Sequence, residues 1–325
     1  MRHLRFFLAF LLALAVPVPF AMAQGYPSRP VTIIVPFAAG GPTDVIARIL
    51  AQHLRTTLGQ TVVVENVPGA NGNIGVGRVA RSSPDGYTLS IGHWSTHVVN
   101  GAVYSLPYDV QKDFEPISLL TSNSYVIVAK LAVPANDLQG FIAWLKAHPD
   151  MAYEGTAGPG SPQHVSGVFF QNATGTRFQF VPYRGAAPAI QDLLAGHIDM
   201  IIDDPTNCLP HVRAGKIKAF AVTAPRRLAA APDIPTVDEA GLPSFYFSRW
   251  HALWAPKGTP HDVIAKLDAA VVAALDDPAV RSRLAELGQD VFPREQRTPA
   301  ALAAWHKAEI EKWWPVIRAA GIKSE

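Results

Sequence analysis

The chain has 325 residues, 49% of them hydrophobic and 17% charged, and it contains a single cysteine. One cysteine excludes an internal disulfide framework, and the chain has no cluster of lysine and arginine of the kind that nucleic-acid binding uses. A chain of this length exceeds what one hydrophobic core usually supports, so two lobes are expected.

The first 23 residues are typical of a secretory signal peptide. Two arginines precede a mostly apolar run over residues 6–20, and Ala21-Met22-Ala23 fits the small-x-small rule for cleavage. A membrane-spanning helix is the alternative, but the run is shorter than a span requires and contains two prolines. Cleavage after Ala23 removes two of the 28 basic residues and no acidic residue, which leaves 26 of each sign. We therefore expect an exported protein without formal net charge.

After this segment, short runs rich in Val and Ile alternate with amphipathic helical patterns. In the first half, strands are predicted over residues 31–37, 61–66 and 87–93, and helices over 43–57 and 73–86. In the second half, strands are predicted over 124–130, 151–155, 178–182, 198–203 and 217–223, and helices over 137–147, 162–173 and 186–195. A connection over 224–250, a strand and turn over 251–260, and helices over 260–275, 278–287 and 298–320 complete the chain. This alternation predicts an α/β fold with parallel strands covered by helices.

The two rounds of alternation predict the domain organisation. A signal peptide at 1–23 is followed by a first lobe made of residues 24–122 and 225–297. The second lobe is residues 123–224, and a C-terminal helix within 298–325 packs across both lobes.

A loop of small residues links the first predicted strand to its helix. The loop and the start of the helix are Phe37, Ala38, Ala39, Gly40, Gly41, Pro42, Thr43 and Asp44. In open parallel sheets, ligands bind beyond the carboxyl ends of the strands, where this loop lies. Thr43 occupies the predicted N-cap, so unpaired helix N–H groups face the loop and suit a carboxylate. No lysine follows the glycines, which argues against a phosphate loop, and an ordinary capped turn is the alternative.

A second glycine-rich loop, "GTAGPGSPQH" over residues 155–164, follows a predicted strand in the second lobe and precedes a helix. Ser161 is placed to cap that helix, and its hydroxyl or that of Thr156 can touch a ligand. Two such loops, one at a strand end in each lobe, predict a cleft that closes on a small anion from both sides.

Several long segments, in order along the whole exported chain, carry a family resemblance. They include "VTIIVPFAAGGPTDVIARIL", "SPDGYTL", "PYRGAAPAIQDLLAGHIDM" and "WAPKGTP". The chain resembles the Bug family, the periplasmic substrate-binding proteins of tripartite tricarboxylate transporters. The resemblance implies a two-lobed Venus-flytrap fold of the type II-like class, with a mainly parallel, helix-flanked sheet in each lobe and the ligand in the interlobe cleft. It further implies a monomer in the periplasm that binds a di- or tricarboxylate, an aromatic acid or an acidic amino acid, has membrane permease subunits as partners, and needs no cofactor.

The predicted ligand-binding residues combine both loops with positions beside the cleft. They are Phe37, Ala38, Ala39, Gly40, Gly41, Thr43, Asp44, Asn73, Trp94, Thr156, Ala157, Gly158, Gly160, Ser161, His164, Tyr183 and Asp203. Tyr183 and Asp203 are carried over from family positions near the cleft, and packing is the alternative role for Tyr183. The sequence departs from the family at Val67, where a basic residue is frequent, and at Glu154-Gly155-Thr156, where an aromatic residue, Gly and Ser are usual. Trp94 replaces smaller residues and either walls the cleft for a flat aromatic acid or packs in the core.

No catalytic or metal site is predicted. His93 and His97 have the spacing of a metal-binding helix but follow a strand, without the glutamate of that motif. Asp203 and Asp204 are interpreted as hydrogen-bonded strand-end acids, and Cys208 as an inert packing residue. The rival hypotheses are a periplasmic hydrolase or isomerase with a glycine-rich anion cradle, and a ligand-sensing binding protein without its own permease.

Overall fold

Two β-sheets, each flanked by helices, organise the chain. They are seen in a computed structural model that describes residues 25–319 and 321–323, so the predicted signal peptide lies outside the described residues. Within these ranges, every helix is too short or too polar to be a transmembrane span.

The elements follow the alternation predicted from the sequence. The strands are β1 (Val31–Val35), β2 (Val62–Asn66), β3 (Thr88–His93), β4 (Phe114–Ser124), β5 (Val126–Lys130), β6 (Tyr153–Thr156), β7 (Gln179–Pro182), β8 (Met200–Asp203), β9 (Ile217–Val222), β10 (Ser248–Pro256) and β11 (Asp290–Val291). The α-helices are α1 (Pro42–Leu58), α2 (Asn73–Ala80), α3 (Asn100–Val103), α4 (Leu138–Ala147), α5 (Pro162–Thr174), α6 (Ala186–Ala195), α7 (Pro205–Arg213), α8 (His261–Asp276), α9 (Pro278–Glu286) and α10 (Pro299–Ala319). A π-helical turn over Ser95–Val99, which the sequence did not predict, joins β3 to α3.

The sheets are mixed rather than mainly parallel. The first has the strand order β11-β4-β10-β3-β1-β2, and the second has the order β7-β6-β8-β5-β9. The pairs β1–β2, β1–β3, β6–β7 and β6–β8 are parallel, whereas β10 and β5 are antiparallel to both of their neighbours. β10 is antiparallel to β4 because the chain leaves the first sheet at the end of β4 and returns to it at the start of β10, with Ser124 opposite Ser248.

Two chain segments cross between the sheets. Tyr125 alone separates β4 from β5, and residues 223–247 connect β9 to β10. The buried hydroxyl of Thr223 accepts from the Tyr125 main-chain N–H (2.8 Å) and donates to the Phe247 carbonyl (2.6 Å). One side chain thus ties both crossings together at the junction of the lobes.

Helices cover both faces of the first sheet. One face packs against α1 and α8 through a core that includes Ile33, Leu50, Ile91 and Leu267. The opposite face packs against α10 and the π-helical turn. Burial of these apolar side chains fixes α1 against the sheet, so the loop before α1 lies at the carboxyl ends of β1 and β3.

Some predicted boundaries differ from the structure. β10 begins at Ser248, inside the predicted connection, because its first residues pair with the end of β4. The helix predicted over 73–86 ends at Ala80.

Candidate functional site

The first glycine loop runs from Phe37 to Gly41, between β1 and α1, and its shape is set by a buried carboxylate. Asp44 is 2% exposed and accepts hydrogen bonds from the Gly40 main-chain N–H (2.8 Å), Arg48 Nε (2.9 Å) and Asn66 Nδ2 (2.9 Å). Burial acts to raise the pKa of Asp44, but these hydrogen bonds outweigh burial and the pKa is lowered. Asp44 therefore remains charged, and the Gly40 N–H points towards it, inside the first lobe.

The first turn of α1 is open. The N-cap is Gly41 and Pro42 is the first helical residue, so the prediction that Thr43 is the N-cap was wrong. In the described structure no side chain caps this turn, since the Thr43 hydroxyl instead lies 3.2 Å from His251 Nε2. Unpaired N–H groups at a helix N-terminus, together with the helix dipole, favour an anion. This end of the first lobe can therefore bind a carboxylate.

Two neutral histidines lie beneath the loop. The Phe37 ring stacks on His93, with ring centroids 4.7 Å apart and planes at 10°. His93 Nδ1 accepts from the Ser95 main-chain N–H (3.0 Å), so the proton of the neutral ring lies on Nε2. Burial, with the nearby Arg249 charge, lowers the pKa of His93 and of His251 well below the ordinary value. The histidines support the loop without adding charge.

The second glycine loop, between β6 and α5, satisfies most of its own donors. Ser161 caps α5 by accepting from the His164 N–H (3.3 Å), as predicted from the sequence. The Gly160 N–H donates to His164 Nδ1 (3.1 Å), and the Gly158 N–H donates to Thr156 Oγ1 (3.3 Å). Burial lowers the pKa of His164, so its ring is neutral and Nε2 carries a proton to donate. Fewer free amides are therefore available here than in the first loop.

The first lobe already holds this second loop. Ser95 Oγ donates to the Gly160 carbonyl (3.1 Å), and the Tyr104 hydroxyl donates to the Pro159 carbonyl (3.1 Å). A side chain at Gly160 would meet Val99 and Val103 at 3.4 Å. The π-helical turn and α3 thus form a direct contact between the lobes beside the two loops.

An acid pair and an arginine lie at the lobe junction. Asp203, at the end of β8, accepts from Gln163 Nε2 (3.0 Å), and burial with the Asp204 carboxylate raises its pKa to about 7. Asp204 caps α7, forms a buried ion pair with Arg249, and accepts from Asn123 Nδ2 (2.8 Å). Because Arg249 and Asn123 belong to the first sheet, this network spans both lobes.

Three predicted site residues have their side chains engaged elsewhere. Trp94 is fully buried and packs edge-to-face on Phe247 (5.2 Å) and Trp313 (5.1 Å). The Tyr183 hydroxyl donates to Asp192 on α6 (2.6 Å).

The side-chain oxygen of the third, Asn73, accepts from Asn100 Nδ2 (2.6 Å) and from the Tyr108 hydroxyl (3.2 Å). Of the predicted loop residues, the structure leaves available the exposed backbone of Ala38 and Ala39, the half-buried Gly41 and Ala157, and His164. Gly40 is also exposed, but its N–H already donates to Asp44.

Other reactive side chains are buried. His97 stacks on Trp254 at 3.7 Å, and burial raises the pKa of the Cys208 thiol with the help of Asp203 and Asp204. Among residues 25–319 and 321–323, no group of three or more His, Cys, Asp or Glu is placed to hold a metal ion.

Sequence reasoning missed Asn66, Ser95, Arg249 and His251 as parts of the site. Arg249 and His251 meet their partners across more than 40 residues of chain, so no local pattern reveals them.

The chain has named relatives over almost its whole length. A family model described as tripartite tricarboxylate transporter family receptor matches residues 46–322. Protein BugT of Bordetella pertussis is 37% identical over 303 residues, which are 93% of this chain and 92% of BugT. The structure of periplasmic binding protein BugD has a TM-score of 0.85 at 40% identity, covering 92% of this chain and 100% of BugD. MatC of Rhodopseudomonas palustris, solved with bound malate, has a TM-score of 0.84 at 41% identity, covering 90% of this chain and 100% of MatC.

Proposed function

This chain belongs to the tripartite tricarboxylate transporter receptor family, and on that basis we propose that it captures a small organic carboxylate by lobe closure for delivery to a membrane permease. The predicted resemblance to the Bug family and the two-lobed α/β fold class are confirmed by BugT and BugD. The expectation that the chain is not an enzyme agrees with these relatives, since BugD is a binding protein.

The open first turn of α1, next to the exposed backbone of residues 38–40, carries the proposal. Hydrogen bonds from amides to a charged group contribute about 1.5–3 kcal/mol each. Four to six of them, less the cost of ordering the ligand and the loops, give roughly −8 kcal/mol, which corresponds to micromolar affinity. The second loop closes on the ligand from the other lobe, with His164 Nε2 as its side-chain donor.

The place and partners of the protein follow from this role. The signal peptide directs the chain to the periplasm and is cleaved there, and the protein acts as a monomer. The closed, loaded form docks on permease subunits. The malate found in MatC supports a small carboxylate as the ligand class.

Ligand-induced shifts in melting temperature across organic acids test the proposal, followed by calorimetry of the hits. Mass spectrometry should show that each bound acid has the same mass before and after incubation, because the protein binds without catalysis. A panel of di- and tricarboxylates, aromatic acids and acidic amino acids without any shift would contradict the proposal.

A matched pair of glycine variants tests the first loop. Gly40 and Gly59 both have positive φ, +84° and +68°, and a side chain at either would meet no atom within 4 Å. Gly40→Val and Gly59→Val therefore introduce similar backbone strain, but Gly59 lies at the far end of α1. We expect only Gly40→Val to lower affinity, and equal affinities in the two variants would show that the first loop does not bind the ligand.

A further inference from the structure

A small cavity lies where the two lobes meet beside the first loop. It has a volume of about 100 Å³ and is lined by Gly40 and the first turns of α1, by Thr206 and Asn207 of α7, and by Leu287 and Gln289 of the turn before β11. None of its lining residues is charged. Space of this size holds several water-sized groups, so it accepts a carboxyl group.

Gln289 is a buried amide with one half unpaired. The side chain is 2% exposed, its Oε1 accepts from the Thr121 hydroxyl (3.1 Å), and its Nε2 has no acceptor in the described structure. The main chain is fixed as well, since the Gln289 N–H donates to the Leu284 carbonyl (3.0 Å). A buried donor without a partner is unusual in a native protein, and a bound water or ligand group would satisfy it.

A chain of hydrogen bonds connects Gln289 to the start of α1. The Thr121 hydroxyl donates to Gln289, so it accepts from His251 Nδ1 (3.4 Å), and His251 Nε2 accepts from the Thr43 hydroxyl (3.2 Å). This order of donors leaves Nε2 of Gln289 as the free donor at the end of the chain. The open amides of α1 and the Gln289 amide are therefore held in a fixed relation by one network.

We propose that Gln289 binds the second carboxylate of a short dicarboxylate whose first carboxylate lies on the open amides of α1. The inference rests on the proposed function and narrows its ligand class. Gly40 belongs both to the first loop and to the cavity wall, so a molecule in the cavity lies beside the first loop. The acids near the cavity lie outside its lining and each has a partner: Asp44 pairs with Arg48, Asp204 pairs with Arg249, and Asp203 accepts from Gln163.

Calorimetry with matched ligands tests the assignment. Dicarboxylates of four to six carbons are each compared with the monocarboxylate of the same length, for example succinate with butyrate. We expect the dicarboxylate to bind about tenfold tighter or more, which corresponds to one added hydrogen bond to a charged group.

The variant Gln289→Glu keeps the acceptor for Thr121 and replaces the donor by a negatively charged oxygen. It should bind succinate at least tenfold more weakly, whereas its affinity for butyrate should be unchanged. Succinamate offers an amide donor to the new carboxylate, so it should lose less affinity than succinate. Gln52→Glu, on the exposed side of α1, is the matched control and should leave all affinities unchanged.

The outcomes separate the inference from the proposed function. Unchanged succinate binding in Gln289→Glu, or an equal loss for succinate and butyrate, overturns the inference. If the variant does not fold, the wild-type comparison decides, and equal affinities for each dicarboxylate and its monocarboxylate overturn the inference. Tight binding of aromatic acids alone also overturns it but leaves the proposed function standing, whereas a wild-type protein that binds no organic acid refutes the proposed function itself.

Discussion

Removing the carboxylate of Asp44 tests whether the shape of the first loop governs binding. Two of its three hydrogen bonds come from neutral donors, the Gly40 N–H and Asn66 Nδ2. Each contributes about 1.5–3 kcal/mol as a hydrogen bond to a charged group. Part of this loss is offset in the variant, because Gly40 is exposed and its N–H can donate to water instead. The third comes from Arg48, which is half exposed, so solvent screening makes it a minor contribution. Asp44→Ala should therefore lower the free energy of unfolding by about 2–4 kcal/mol.

The same substitution should weaken ligand binding. A loop that is no longer held must be ordered by the ligand, so affinity should fall at least tenfold, which is about 1.4 kcal/mol. The lowered pKa of Asp44 means that its contribution to stability is present above the ordinary carboxylate range and is lost as pH falls through it, so the difference from wild type should shrink below about pH 4.

Urea unfolding and calorimetry measure these two effects. The exposed Asp233, changed to Ala, serves as the control and should alter neither quantity. An Asp44→Ala protein with wild-type affinity would refute the idea that this carboxylate prepares the loop.

Three further predictions concern the lobe junction and the core. Asp204→Ala leaves Arg249 buried without its partner and should lower the free energy of unfolding by about 3–5 kcal/mol in urea, and a loss below about 1 kcal/mol would contradict this. The pKa of Asp203 is raised from its ordinary value to about 7, so its contribution to stability is full below about pH 4 and is lost as the pH rises to 7. Asp203→Asn should therefore flatten the dependence of unfolding free energy on pH between about 4 and 7, and an unchanged slope would count against the shift. Trp94→Ala should cost about 3–5 kcal/mol of stability, while Trp94→Phe should keep the ranking of ligands, and a changed ranking would place the indole in the cleft.

The units that carry the loops could be predicted because their signals are local. The apolar run of β1, the small residues after it and the periodicity of α1 together give a strand, a loop and a helix in the right order. Ser161 lies directly before Pro162 at a helix start, and the capping rule correctly placed it at the N-cap of α5.

The rest depends on contacts between distant parts of the chain. Thr43 satisfies the capping rule but its hydroxyl lies against His251, 208 residues away, and Gly41 takes the cap position instead. The i,i+4 spacing of Asp44 and Arg48 is visible in the sequence, whereas the bond from Asn66 depends on the pairing of β2 with β1. Gln289 has no local pattern, because its surroundings exist only once both lobes have formed.

The hydrogen bonds from Ser95 and Tyr104 to the carbonyls of Gly160 and Pro159 do not involve the ligand. They therefore favour the closed arrangement of the lobes equally for every ligand. A change in the strength of these hydrogen bonds changes the apparent dissociation constants of all ligands by the same factor, because it shifts only the equilibrium between the open and closed forms. Different residues therefore govern how long a ligand remains bound and which ligand is preferred. A substitution at Ser95 would change the residence time of every ligand without changing the order of their affinities.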